Sequence, residues 1–161
     1  MFYYRCLIRG DYYYLVTNSD DLVFVGSPNK NIDEIYNFLG EVNLIENYNK
    51  VKKYSQKLYE YFINQKEINN IKIPEGTEFQ KLVWTAVRSI PYGEIRTYSD
   101  IARQLDKPKA VRAVAAAIGK NPLLIFIPCH RVLGKNCNLC GYRGGLELKQ
   151  KLLEMEKVFK K

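Results

Sequence analysis

The 161-residue chain holds a single histidine, a single tryptophan and four cysteines. The cysteines are Cys6, Cys129, Cys137 and Cys140. Cys137 and Cys140 form a C-x-x-C pair, but a structural zinc site needs four ligands, and His130 alone does not complete it. No bound metal is expected. No apolar run reaches the ~20 residues that span a bilayer. The first residues also lack the basic and apolar regions of a secretory signal. Membrane, secreted and fibrous classes are therefore excluded, and a cytoplasmic chain with reduced thiols is expected.

What remains is an ordinary globular composition, 47% hydrophobic and 26% charged. The length suits one domain or two small ones and a core that needs no metal or disulfide. Charge is unevenly spread. Residues 1–74 carry 9 basic and 9 acidic side chains, whereas residues 75–161 carry 16 and 8, which is the whole net charge of +8. A neutral part joined to a basic part suggests a polyanionic partner. A solvated lysine-rich surface would give the same sum, so charge alone does not choose.

The N-terminal part reads as structure without chemistry. Phe2–Ile8, Tyr12–Asn18 and Leu22–Ser27 are strand-like and separated by turn signals at Gly10-Asp11 and 18–21. An antiparallel meander is expected. Asn31 or Asp33 can cap a short helix ending near Gly40. Val51, Tyr54, Leu58, Tyr61 and Phe62 have helical spacing, which predicts an amphipathic helix over roughly 46–64. Asn69–Gly76, with Pro74, reads as a linker.

The C-terminal part is more legible. Thr77 with Gln80 is a capping-box signature. Phe79, Leu82, Val83, Ala86, Val87 and Ile90 then mark one helix face, ended by Pro91. Thr97 can cap a helix through Leu105, with Ile101, Ala102 and Leu105 inward. A second helix is expected from about Lys109 to Ile118, with Gly119 as its C-cap. Two short helices joined by a short turn resemble a helix-turn-helix. Val111, Val114, Ala115 and Ile118 fit its core side. Arg112, Ala113, Ala116 and Lys120 fall on the other side, where small alanines would let the backbone approach a groove. From Arg96 to Lys120 six basic residues outnumber two acidic ones, which favours DNA contact over a plain helical hairpin.

Leu123–Ile127 is continuously apolar and reads as a buried strand. It runs into Cys129-His130. A thiol becomes a nucleophile when a nearby base or positive field favours its thiolate. Neighbours on an extended chain point apart, so contact between the two requires a water or a turn of the loop. Leu146, Leu148, Leu152, Leu153, Met155 and Phe159 share one arc of a C-terminal helix. Glu156 falls inside that arc, and a carboxylate there needs a partner. His130 is the candidate, giving a Glu156–His130–Cys129 relay; the alternatives are a partly exposed glutamate at the edge of the face and a buried structural cysteine. Before this helix, Gly144-Gly145 permits unusual φ angles and leaves free N–H donors, as one wall of a ligand pocket or as a simple turn.

Pro128-Cys129-His130-Arg131-Val132 is preceded by Asn121-Pro122 and followed by Tyr142-Arg143-Gly144-Gly145-Leu146. Together these resemble the O6-alkylguanine-DNA alkyltransferases, the methylated-DNA–protein-cysteine methyltransferases. The similarity runs from about Phe79 to Glu156 and includes Pro91-Tyr92-Gly93-Glu94, Thr97-Tyr98 and Leu152-Leu153. It implies an α/β (α+β) fold. Residues 1–74 would form a small antiparallel-sheet domain of ribonuclease-H-like type with a structural role. Residues 75–161 would form a mainly helical domain with a winged-helix-like helix-turn-helix, which binds DNA and accepts the alkyl group. It further implies Cys129 as acceptor, His130 and Glu156 as a proton relay acting through water, and Asn121 as brace of the active-site loop. Tyr98 would assist the leaving guanine and nucleotide rotation, and Arg112 would fill the gap left by the flipped base. Val132 and Arg143 would contact guanine through their backbones, with Ile118 and Tyr142 as pocket walls.

The implied partner is double-stranded DNA carrying O6-alkylguanine, with O4-methylthymine a further candidate. The protein would act as a monomer, once per chain and without a cofactor. Extrusion of the lesion suits buried chemistry on a base, and a small-residue helix with an arginine suits the minor groove. Two departures stand out. Cys137 occupies a loop position where the family usually has glycine, and a positive φ there would strain it. The N-terminal part has only Cys6 and no histidine, so the zinc site of some vertebrate relatives is not expected. Two other classes compete. A lesion sensor would bind without chemistry, and a cysteine hydrolase of esters or thioesters would turn over repeatedly.

Overall fold

The computed structural model describes residues 1–139 and 141–158. Cys140 and Phe159, and with them the C-x-x-C pair and the end of the C-terminal helix arc, fall outside the described residues, as does the side chain of Cys137. The fold is mixed α/β, with a small sheet unit and a mainly helical unit. The chain divides into Met1–Pro74 with Pro122–Phe126, and Glu75–Asn121 with Ile127–Lys161.

In the first unit β1 (Phe2–Ile8), β2 (Asp11–Asn18) and β3 (Asp21–Val25) form the expected antiparallel meander. The sequence did not signal β4 (Ile45–Glu46), which pairs parallel to β1 and makes the sheet mixed, in the order β3-β2-β1-β4. Two residues are too few to show a period. Helices cover both faces of the meander. Val16 and Phe24 pack with Ile35 of α1 (Asp33–Leu39), while Tyr13 meets Phe62 of α2 (Tyr48–Asn64). This is why Leu15, Val16 and Thr17 are buried in succession where a one-sided strand would alternate. Asn31 accepts a hydrogen bond from the Asp33 amide at 2.9 Å, and Gly40 closes α1 at φ +74°. The buried residues of α2 are Val51, Tyr54, Leu58, Tyr61 and Phe62, the apolar set its spacing marks. Residues 65–76 contain no helix or strand, yet Ile71 is buried, so this stretch is more than a solvated linker.

The second unit is built on α3 (Glu78–Arg88), α4 (Tyr98–Gln104), α5 (Val111–Gly119) and α6 (Leu146–Met155), with a two-stranded parallel sheet of β5 (Arg96–Thr97) and β6 (Val132–Leu133). The Thr77–Gln80 capping box is complete, and Thr97 forms a second one with Asp100. Two expectations for these helices fail. Leu82 is 51% exposed, and the core place on α3 belongs to Trp84. The indole N–H of Trp84 donates to the Ala117 carbonyl at 2.9 Å, which ties α3 to α5. Gly119 is the last residue of α5 and Lys120 is its C-cap. No positive φ is needed there, so no glycine stop is required. On α5 the buried residues are Val114, Ala117 and Ile118, while Val111 and Ala115 are half-buried.

The Leu123–Ile127 strand is also not formed. The segment is buried, and an isolated bridge from Val25 to Leu123 with a hydrogen bond from the Val25 amide to the Pro122 carbonyl ties its start to the sheet. The chain turns at Ile125, which adopts φ +73° while the Phe126 amide bonds the Leu124 carbonyl at 2.8 Å. This is a γ-turn of the rare positive-φ kind. A β-branched residue is strained there. An inverse γ-turn follows at Pro128 (φ −78°, ψ 61°), with the Cys129 amide bonding the Ile127 carbonyl at 2.7 Å. A continuous apolar run cannot distinguish a buried strand from buried turns.

Candidate active site

The two tight turns deliver Cys129–Arg131 as one turn of 3-10 helix in the second unit. Successive residues of a 3-10 turn are set about 120° apart, so the two side chains do not point to opposite faces as they would on an extended strand. Cys129 is buried at 6% exposure. Asn121, just past the end of α5, donates from Nδ2 to the Ile127 carbonyl (3.1 Å) and to Cys129 Sγ (3.3 Å). One amide group therefore holds both the loop and the sulfur. Burial pushes the Cys129 thiol above its ordinary range, and the Asn121 hydrogen bond and the charges of Arg143 and Lys149 only partly offset it. The resting group is a thiol and needs a base to become a nucleophile.

His130 is fully buried. Its Nε2 lies 2.9 Å from Glu156 Oε1. The carboxylate can only accept, so Nε2 carries the proton and Nδ1 presents its lone pair. Burial holds the imidazole below its ordinary value despite Glu156, and it is neutral at pH 7. Glu156 is the C-cap of α6 and 3% exposed. Burial alone would raise its carboxyl. The hydrogen bonds from His130 and Arg131 and the charge of Arg131 outweigh burial and lower it to about 2. The backbone beside it is crowded: Gly93 sits at φ +82°, and a Cβ there would lie 3.3 Å from the Glu156 carbonyl.

Two buried cations were not singled out in the sequence. Arg131 donates from Nε to Glu156 Oε2 (2.9 Å), from Nη2 to Glu156 Oε1 (2.8 Å) and from Nη1 to the Ile90 carbonyl (2.7 Å). Lys149, fully buried on α6, donates to the Val132 carbonyl at 2.8 Å. A mid-helix lysine gives no sequence sign of burial. Arg131 could have been found by asking what balances a carboxylate placed in an apolar arc.

The remaining expected residues are distributed as follows. Val132 is buried, and its carbonyl already serves Lys149. Tyr142 is half-buried, its ring 6.5 Å from that of His130 in an edge-on contact. Arg143 is half-buried, and its Nη2 donates to the Asn121 carbonyl at 3.3 Å. Ile118 is 7% exposed on the core side of α5. Gly145 is the N-cap of α6 at φ +92°. In the loop after β6, Asn136 takes the positive φ of 61°. Arg112, Ala113, Ala116 and Lys120 are exposed on one side of α5, and half-buried Tyr98 opens α4. Among the described residues no group of three or more His, Cys, Asp or Glu could hold a metal ion.

Residues 78–158 match the family described as "6-O-methylguanine DNA methyltransferase, DNA binding domain". The chain is 45% identical over 164 residues to the inducible methylated-DNA–protein-cysteine methyltransferase of Bacillus subtilis (strain 168), covering 96% of this chain and 90% of that protein. It is 48% identical over 113 residues to the protein of that name from Methanosarcina acetivorans, covering 70% of this chain and 72% of the relative. Among solved structures it resembles the Mycobacterium tuberculosis OGT protein in complex with DNA. That match has a TM-score of 0.85 and 32% identity, over 98% of this chain and 93% of that one. The buried cysteine, its histidine–carboxylate pair and the exposed alanine–arginine helix thus occur in a chain that belongs to the 6-O-methylguanine DNA methyltransferase family.

Proposed function

We propose that the protein repairs DNA by direct reversal, moving the alkyl group of O6-methylguanine in double-stranded DNA onto Cys129. The observation that carries this reading is the buried set of Cys129 beside Asn121 with His130 held on Glu156. The relatives' name specifies a protein cysteine as methyl acceptor from methylated DNA. Cys129 is the cysteine adjacent in sequence to the His130 base. Cys6, the other buried cysteine described, lies in β1 of the first unit.

The reaction is a single displacement. His130 takes the thiol proton at Nδ1 through a water, with Glu156 fixing the ring. A bond forms from Cys129 Sγ to the alkyl carbon while the carbon–O6 bond breaks, and a proton returned to the base leaves neutral guanine. The thioether product has no easy route back, so each chain acts once. No cofactor is required. The target carbon lies inside the duplex, so the nucleotide is extruded. The exposed Ala113–Ala116 side of α5 approaches the minor groove, Arg112 fills the gap and Tyr98 assists rotation and the leaving base. Lys120 adds phosphate affinity. Val132, Arg143, Tyr142 and Ile118 border the guanine pocket. Residues 75–161 carry both DNA binding and chemistry, and residues 1–74 support them. We place the monomeric protein in the cytoplasm, where thiols stay reduced. No helix among the described residues is long and apolar enough to cross a membrane.

The test is mass spectrometry of the Cys129 peptide after mixing the protein with a duplex carrying one O6-methylguanine. One methyl per chain on Cys129, matched by restored guanine and abolished in Cys129→Ser with DNA binding retained, is the expected result. An unmodified peptide from protein that binds the duplex would point to a lesion sensor. Repeated turnover on esters or thioesters would point to a hydrolase.

A further inference from the structure

We infer that Arg131 is a positioning residue for the alkyl transfer: its guanidinium fork fixes both oxygens of Glu156, so that the carboxylate orients His130 but never takes its proton. The inference rests on alkyl acceptance by Cys129 as read above. It extends that reading to a residue that acts through Glu156.

The geometry is specific. A carboxylate held by one donor can swing about its last torsion, which is broad and roughly two-fold. Glu156 cannot. Its Oε1 accepts from both His130 Nε2 and Arg131 Nη2, and its Oε2 accepts from Arg131 Nε. The third arm of the fork donates to the Ile90 carbonyl, just past the end of α3. The ring of Tyr92 lies 5.5 Å from the guanidinium carbon. The imidazole plane is thus set by a chain running from α3 through Arg131 and Glu156 to His130. A lysine ammonium has the charge but not the planar fork.

The charge matters as much as the shape. A buried His–Glu pair standing alone would bind a proton and keep it as an imidazolium–carboxylate pair. His130 would then be filled before the thiol could use it. Arg131 cancels the carboxylate charge, so His130 faces an oriented acceptor without a bare anion. The other groups that act on the ring are Tyr142, edge-on from the loop before α6, and the charge of Lys149 on α6; Cys129 precedes it in the same 3-10 turn. Lys149 is a second cation acting in the same sense and is left in place in the variants below.

Because His130 is the sole histidine, a 15N-labelled imidazole reports this ring and no other. Single-turnover methyl transfer from an O6-methylguanine duplex and the 15N titration would be followed against pH for wild type, Arg131→Lys and Arg131→Met. At neutral pH both variants should transfer at least about tenfold more slowly, within the range that general-base catalysis is worth. In Arg131→Met the acid limb of the rate profile and the His130 titration should both move to higher pH, with part of the rate recovered on the alkaline side. Arg131→Lys should move them less. A purely structural role would lower the rate equally at every pH and leave the titration in place, and that result in folded Arg131→Met would overturn the inference. Should that variant not fold, the wild-type spectrum and Arg131→Lys decide. A wild-type ring charged at neutral pH, or a lysine variant with wild-type rate and profile, would overturn it equally. Failure of the wild type to methylate Cys129 would instead overturn the functional reading itself.

Discussion

Gly76→Ala tests whether the start of α3 is packed as tightly as the structure has it. A Cβ built on Gly76 would lie 2.8 Å from two ring carbons of Trp84 and 2.8 Å from Gln80 Oε1. Neither neighbour can yield without loss. Gln80 Oε1 accepts the Thr77 amide at 2.9 Å and is half of the capping box, which is worth about 1 kcal/mol. The indole is 2% exposed and donates to the Ala117 carbonyl, a bond worth about 1 kcal/mol. Overpacking a filled site costs roughly 1–3 kcal/mol. Against these, replacing glycine stiffens the unfolded chain and returns about 0.4–1 kcal/mol. The overpacking cost, through which the two losses are felt, less this return leaves a net loss of about 0.5–2.5 kcal/mol. Urea unfolding followed by circular dichroism and by tryptophan fluorescence reads it, and with excitation beyond the tyrosine absorption the emission comes from Trp84, the chain's one tryptophan. Thr77→Ala, which loses only the cap, should cost about 1 kcal/mol and leave the native emission unchanged. An alanine at position 76 that is neutral or stabilising, with wild-type emission, would refute the packing argument.

Two further outcomes follow from the charges. Stability should fall steadily as pH drops below neutral, because the unfolded chain protonates His130 while the fold keeps it neutral. The Glu156 share is fully present above its ordinary 4.5 and is lost as pH falls towards about 2, about 3 kcal/mol in all; a urea midpoint that rose on acidification would contradict this. Arg112→Ala should weaken binding to a lesion duplex and slow methyl transfer, while fold stability stays within about 0.5 kcal/mol. Anisotropy titrations and quenched-flow transfer measure the two effects, and unchanged values for both would remove Arg112 from the interface.

Where local rules and burial agree, the sequence could be read closely. The α2 face, the Thr77 cap and the displaced Glu156 all depend on a period or a spacing, and the structure has them where the residues place them. The misreadings and omissions occur where burial comes from packing beyond one element. Leu82 satisfies the period of α3 but faces outward, because the neighbouring helices meet the Trp84 side. Lys149 looks like any surface lysine until the Val132 carbonyl is found opposite it. Leu123–Ile127 is as apolar as a strand, but Ile125 is bent into a γ-turn that no propensity favours. Within the site, the histidine–carboxylate pair was legible because a lone carboxylate in an apolar arc demands an explanation. Arg131 was hidden inside the same short motif it supports.

The excursion of Pro122–Phe126 into the first unit bears on how the chain folds as it is synthesised. The path crosses between the units three times, at Pro74, Asn121 and Phe126. Leu123, Leu124, Ile125 and Phe126 are each 2% exposed or less. A nascent chain that has emerged only as far as Pro74 lacks this plug, so its sheet unit stays unfinished until most of the helical unit has also left the ribosome. Neither unit is a contiguous piece of the gene. Cutting at the 65–76 connection would strand four large apolar side chains on the wrong fragment. Any recombination that exchanges the N-terminal part of this protein must therefore exchange the five residues before Ile127 with it.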